Sequence, residues 1–141
     1  MVKRADLPPA LDESLVGTYP ALVRSGGGYV WDAVLEYRVW CHPERGAPDL
    51  DGGSDYYYAF PTYDEAVEFS DVTRGAETPL ALVLQEEYVD EPEPGHLLHV
   101  KEPRMTEWPV EFLDKPRRTA GTIPALLALD AAARADPQGL N

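Results

Sequence analysis

The run Thr62-Tyr63-Asp64-Glu65 constrains this chain most, because it has the form of a capping box set directly behind Pro61. The Thr62 hydroxyl can accept from the Glu65 amide, and the Glu65 carboxylate can reach back to the Thr62 amide. Asp64 and Glu65 also place negative charge at the positive end of the helix dipole. Helical spacing carries Tyr63, Ala66, Val67 and Ser70, with Phe69 flanking the stripe, to a stop at Gly75. Before the cap, Tyr56 to Phe60 reads as a strand, with Tyr56, Tyr58 and Phe60 on one face and Tyr57 on the other. After the helix, Leu80-Ala81-Leu82-Val83-Leu84 reads as a strand covered on both faces and central in its sheet. Periodicity alone also permits a buried helix there.

Either side of this unit the strand pattern continues. From Trp31 to His42, Ala33, Leu35, Tyr37, Val39 and Cys41 alternate with Glu36, Arg38, Trp40 and His42. That predicts a half-buried strand with a polar, aromatic second face, on which the Tyr56 strand pairs antiparallel. Tyr88 and Val89 and the run His96 to Lys101 flank the acidic turn Asp90 to Gly95, which predicts a hairpin with a six-residue loop. The expected fold is α+β: one antiparallel sheet of about four strands, ordered strand-strand-helix-strand-strand, with the helix on one face. Residues 1–28 read as an N-terminal arm that includes the flexible turn Ser25-Gly26-Gly27-Gly28. Residues 29–113 read as the core domain. Pro103 and Pro109 predict an irregular segment that packs Trp108 and Phe112 on the sheet. Residues 114–141 read as a basic linker, with Lys115, Arg117 and Arg118, and an Ala-rich helix capped by Thr122 and running from Ile123 to about Ala135.

Charge narrows the function classes. The net charge is −13, and residues 44 to 95 hold fourteen Asp and Glu against two Arg. Direct binding to nucleic-acid phosphates is disfavoured by such a field. A single Cys excludes an internal disulfide. No apolar run approaches the roughly 18 residues of a membrane span, and no signal peptide pattern opens the chain. The expectation is a soluble cytoplasmic protein without membrane contact.

Cys41, His42, His96 and His99 are the soft metal ligands of the chain. On strands, Cys41 and His42 point to opposite faces, and so do His96 and His99, so no metal site is expected from them. Asp49 to Asp55 departs from a calcium loop at Gly53 and lacks a Glu at the twelfth position. The surface expected to meet a ligand or partner combines Arg38, Trp40 and His42 with the strand tyrosines Tyr56 and Tyr58. Glu91 and Glu93 form a second candidate surface, for a basic protein or a second copy of the chain. No carboxylate pair is placed for acid–base catalysis, and no cofactor is expected.

The phrases YVWDAVLEYRVWCHPERGAPDLDGGSDYYYAFPTYDEA, PLALVLQEEYVDEPEPG and RMTEWPVEFL resemble a family of short bacterial proteins, often labelled GNAT-type acetyltransferases. GNAT enzymes hold the acetyl-CoA pyrophosphate on the amides of an R/Q-x-x-G-x-G/A turn that opens a helix. The nearest run here, Arg24-Ser25-Gly26-Gly27-Gly28-Tyr29, has Tyr29 where Gly or Ala belongs and leads into strand-like sequence. The resemblance therefore implies a shared fold and carries over no catalytic residue. Sequence alone supports a small acidic binding or interaction protein. The alternatives are an acyl-CoA-dependent N-acetyltransferase-like enzyme and an acidic decoy of nucleic-acid-binding proteins.

Overall fold

A computed structural model describes residues 7–135. In chain order they form β1 (Arg24–Ser25), β2 (Ala33–Cys41), β3 (Tyr56–Phe60), α1 (Tyr63–Val72), β4 (Leu80–Gln85), β5 (Tyr88–Glu93), β6 (His96–Val100), β7 (Arg104–Pro109) and α2 (Thr122–Ala135). The architecture is mixed α+β, with a five-stranded sheet ordered β1-β7-β4-β2-β3 and a separate two-stranded sheet of β5 and β6. The expected single sheet of about four strands is thus replaced by two sheets. None of the described helices is long and apolar enough to cross a membrane.

The helix start expected at Thr62 forms, but the Glu65 carboxylate meets the Thr62 hydroxyl rather than the Thr62 amide. The Thr62 hydroxyl accepts from the Glu65 amide at 3.2 Å, while the Glu65 carboxylate binds that hydroxyl at 3.1 Å. The helix ends at Val72, short of Gly75. Gly75 serves a different need: a Cβ there would sit 2.3 Å from the Ala47 amide nitrogen, so only glycine permits this approach. Strand β4 lies at the centre of the large sheet, antiparallel to β2 on one side and to β7 on the other.

Strand β7 corrects the expectation of an irregular segment. Pro103 precedes the strand and Pro109 is its last residue, opposite Leu80, so neither proline interrupts the ladder. Trp108 pairs with Ala81 and Thr106 with Val83. The hairpin is also tighter than expected. Glu93 pairs with His96 across Pro94-Gly95, and a register shift between Asp90 and Glu93 absorbs the extra residues.

One face of the large sheet carries Tyr37, Val39, Ala81, Val83 and Trp108, which pack with Ala66, Tyr63 and Phe69 of α1. A second cluster of Val30, Val89 and Ile123 joins the hairpin to α2, with Leu126 and Leu127 packed against it and Leu129 left exposed. A register shift between Val34 and Glu36 breaks the expected alternation at the start of β2. Beyond it, Glu36 and Arg38 are fully buried rather than solvated, because the N-terminal segment crosses their face. The Gly17 amide donates to Glu36 at 2.8 Å, and Arg38 donates to the Pro20 and Ala21 carbonyls at 2.5 and 3.1 Å.

Candidate functional site

The glycine run is the most unusual backbone in the molecule. Gly26, Gly27 and Gly28 have φ of 68, 82 and 95°, and Tyr29 follows at 68°. Four successive residues thus occupy the left-handed region, where side chains other than glycine are strained. Tyr29 is held there by its hydroxyl, which donates to Glu91 at 2.5 Å, and by its packing against the Val30, Val89 and Ile123 cluster. The Gly27 carbonyl accepts from Gln85 Nε2 at 3.0 Å and Trp108 Nε1 at 3.1 Å. The Gly28 carbonyl accepts from the Val30 and Val89 amides at 2.8 and 3.0 Å. Because a trans peptide holds its C=O and N–H in opposite directions, the Gly28 and Tyr29 amides point away from these donors.

The loop forms one wall of an open cleft of about 620 Å³ that also takes in Arg24, Arg104 and Lys115. Two non-local pairings build the cleft. Strand β1 lies parallel to β7 with Arg24 opposite Thr106, two residues from Arg104, and the Gly28–Val89 bridge draws the hairpin over the loop. Arg104 donates from Nε to Gln85 Oε1 at 2.7 Å and lies over the Tyr88 ring, 3.7 Å from its centroid. Burial lowers the Arg104 pKa, so the cationic group lacks part of its normal solvation. The Lys115 ammonium lies 5.3 Å from the Phe112 ring centroid and 5.8 Å from that of Tyr29. Asp90 and Glu91 stand on the hairpin side. Glu91 accepts from the Tyr29 hydroxyl and, at 2.7 Å, from the Gly95 amide, and these bonds hold its pKa below the usual carboxylate range. The same Glu91 bond is the largest cause raising the Tyr29 pKa.

The residues expected from sequence to form one surface are distributed differently. Arg38, Trp40 and His42 share a face of β2, and the tyrosine opposite Trp40 is Tyr57. The two rings lie 4.9 Å apart, and the Arg38 guanidinium lies 4.5 Å from the Tyr57 ring centroid. Tyr56 and Tyr58 pair with Cys41 and Val39 on the other face, where Tyr58 meets Phe69 of α1. Arg38 is enclosed by Glu36 at 2.7 Å, Glu107 at 3.1 Å and the N-terminal carbonyls, while Trp40 Nε1 donates to Glu107 at 2.8 Å. Beside Trp40 and Tyr57, a cleft bounded by Leu22 and Asp55 remains open. Glu91 is engaged at the glycine cleft, and Glu93 is exposed on β5.

Cys41 is buried, and burial pushes its thiol pKa up, which leaves it a poor nucleophile or ligand. His99 pairs with Glu87 at 2.7 Å on the hairpin side. His42, buried at the end of β2, lies between Asp55 and Glu77, with Glu44 close by. This is the cluster among the described residues in which a metal ion could be held.

No family model, curated protein or solved structure matches the chain. The sites are therefore assigned from their own geometry. Of the residues expected from sequence to meet a ligand or partner, Glu91 alone lines the glycine cleft. The cleft's readable signal was the succession of Arg24, three glycines and an aromatic residue, in which the glycines serve a turn and a cavity wall together.

Proposed function

We propose that this chain is a non-catalytic binding protein that takes a small phosphate-bearing ligand in the glycine-loop cleft. The observation that carries this reading is the convergence of Arg24, Arg104 and Lys115 on a loop whose Gly28 and Tyr29 amides point away from the sheet's donors. Loop amides and the Arg24 and Arg104 guanidinium groups are complementary to phosphate oxygens. The two acids of the cleft oppose this charge only in part. Asp90 and Glu91 stand against the three bases Arg24, Arg104 and Lys115, which leaves the lining with an excess of one positive charge. Phe112 supplies apolar wall for the rest of a small molecule. A nucleic-acid polymer would meet the wider acidic surface, which the net charge of −13 makes repulsive.

Tyr29 and Glu91 are the hydrogen-bonded titratable pair in the cleft. Their shifts run against acid–base catalysis near neutral pH, since the carboxylate is a weaker base and the phenol a weaker acid than usual. The acyl-CoA alternative asks for a helix opening at the glycine turn, whereas the chain passes from Tyr29 through Val30 and Trp31 into β2.

The test is a titration of ¹⁵N-labelled protein with inorganic phosphate and then pyrophosphate. Saturable shifts confined to the Gly27, Gly28 and Tyr29 amides and Arg104 Nε support the reading. Shifts scattered over exposed bases, or none at millimolar ligand, oppose it.

A further inference from the structure

We propose that His42, Asp55 and Glu44 form a binding site for a divalent first-row transition ion of the Zn²⁺ type. This site is separate from the glycine cleft, and its occupancy does not depend on the function proposed for that cleft. It arises from strand register. Antiparallel pairing of β2 and β3 puts Cys41 opposite Tyr56, so one step further His42 and Asp55 face each other. On the other side, Cys41 bridges to Ala76, the His42 amide donates to the Gly75 carbonyl, and the Glu77 amide donates to Trp40. Asp55 and Glu77 thereby flank His42 at the end of the sheet. Glu44 arrives from the 3-10 turn Pro43–Arg45 directly after β2.

The histidine is presented as a ligand. Its side chain is 9% exposed, and Nε2 is hydrogen-bonded to the Glu77 carboxylate. A carboxylate on one ring nitrogen fixes the tautomer and turns the other nitrogen's lone pair toward a metal. Nδ1 is that other nitrogen: buried and without a hydrogen-bond partner among the described residues. It lies 3.0 Å from Asp55 Oδ1, within ion-pair reach. The ligand atoms offered by His42, Asp55 and Glu44 all lie within 4.8 Å of one another. Ligands about 2.1 Å from one tetrahedral ion are roughly 3.4 Å apart, so small side-chain rotations close the set.

One imidazole and two carboxylates favour a borderline transition ion over Mg²⁺ or Ca²⁺, which prefer oxygen alone. Three protein ligands leave a coordination position for water or an exogenous ligand. Asp55 also borders the cleft lined by Leu22, Trp40 and Tyr57, which gives such a ligand apolar room. The competing arrangement is an imidazolium held between Asp55 and Glu77 with no ion.

The experiment is calorimetry with Zn²⁺ after chelator dialysis, supported by the visible spectrum of the Co²⁺ form. Asp55 and Glu44 are exposed, so Asp55→Asn and Glu44→Gln test the ligands without opening the core. The expected result is one ion per chain, at least about tenfold weaker binding in each variant, and a loss of about tenfold or more for Glu77→Gln. Binding should persist in a His96→Ala, His99→Ala double variant, with circular dichroism unchanged throughout. Absence of binding up to millimolar Zn²⁺ would overturn the proposal. So would equal affinity in wild type and Asp55→Asn, or loss of binding only in the His96, His99 variant.

Discussion

The Arg104 guanidinium lies over the Tyr88 ring, 3.7 Å from its centroid, while its Nε donates to Gln85 Oε1 at 2.7 Å. Gln85 in turn donates to the Gly27 and Val30 carbonyls, so one buried amide ties the cation to the glycine loop. The loop and the charge facing it are therefore positioned by the same residue. Arg104→Lys keeps the charge but gives up the planar fork and the aligned Nε donor. The expected outcome is roughly tenfold weaker pyrophosphate binding by calorimetry, with a denaturation midpoint close to wild type.

Gly28→Ala should act on both fold and cleft. The added Cβ would lie 2.1 Å from Gln85 Nε2 and 3.0 Å from Arg104 Nη2, at a φ of 95°. Strain at such a position costs of the order of 1–3 kcal/mol. Urea denaturation should show a loss of at least that size, because the overlap with Gln85 adds to the strain, together with weaker ligand binding. Gly53→Ala, at a φ of 88° with nothing within 4 Å, should lose stability without losing the ligand.

Arg38→Met removes the cation from a pair whose two side chains are both fully buried, leaving the Glu36 carboxylate with the Gly17 amide as its remaining partner. Uncompensated buried charge of this kind costs about 3–5 kcal/mol. The combined Glu36→Leu, Arg38→Met protein should recover part of that loss, as read from paired denaturant melts. Arg38 also holds the Pro20 and Ala21 carbonyls, so amide exchange should accelerate near residues 17 to 22 in the single variant.

Two carboxylates predict the acid limb of the stability profile. The Tyr29 hydroxyl and Gly95 amide lower the Glu91 pKa, and His99 is the largest cause lowering that of Glu87. A depressed folded-state pKa contributes stability that is present above the unfolded-state value and lost as pH falls through the folded one. Thermal melts should therefore weaken progressively from about pH 5 downward. The double variant Glu87→Gln, Glu91→Gln should show a flatter profile over the same range.

The helix cap gives a local check on the central unit. Thr62→Ala removes the acceptor of the Glu65 amide and should destabilise the protein by about 1 kcal/mol in urea.

The parts of the fold that sequence made legible are those with local causes. Thr62 caps α1 through a bond spanning three residues, and the β2–β3 pairing follows from alternation on either side of one loop. Strand β7 was obscured because Pro103 and Pro109 read as breakers, while their harmless places at the strand's ends appear only once β4 is paired. The cleft was less legible still. It depends on Arg24 meeting Thr106 in a parallel register and on Gly28 bridging Val89. Glu36 and Arg38 looked solvent-facing because nothing local in sequence told that residues 17 to 22 would cover them. The His42 cluster depends on Asp55 and Glu77, each set beside the histidine by strand pairing.

The most direct test of the ligand assignment is calorimetric titration with pyrophosphate in about 0.15 M salt, comparing wild type with an Arg24→Gln, Arg104→Gln double variant. The account predicts a single saturable site in wild type and affinity at least about tenfold lower in the double variant, with the fold intact by circular dichroism. Equal isotherms for the two proteins, or no heat of binding in wild type at millimolar pyrophosphate, would contradict it.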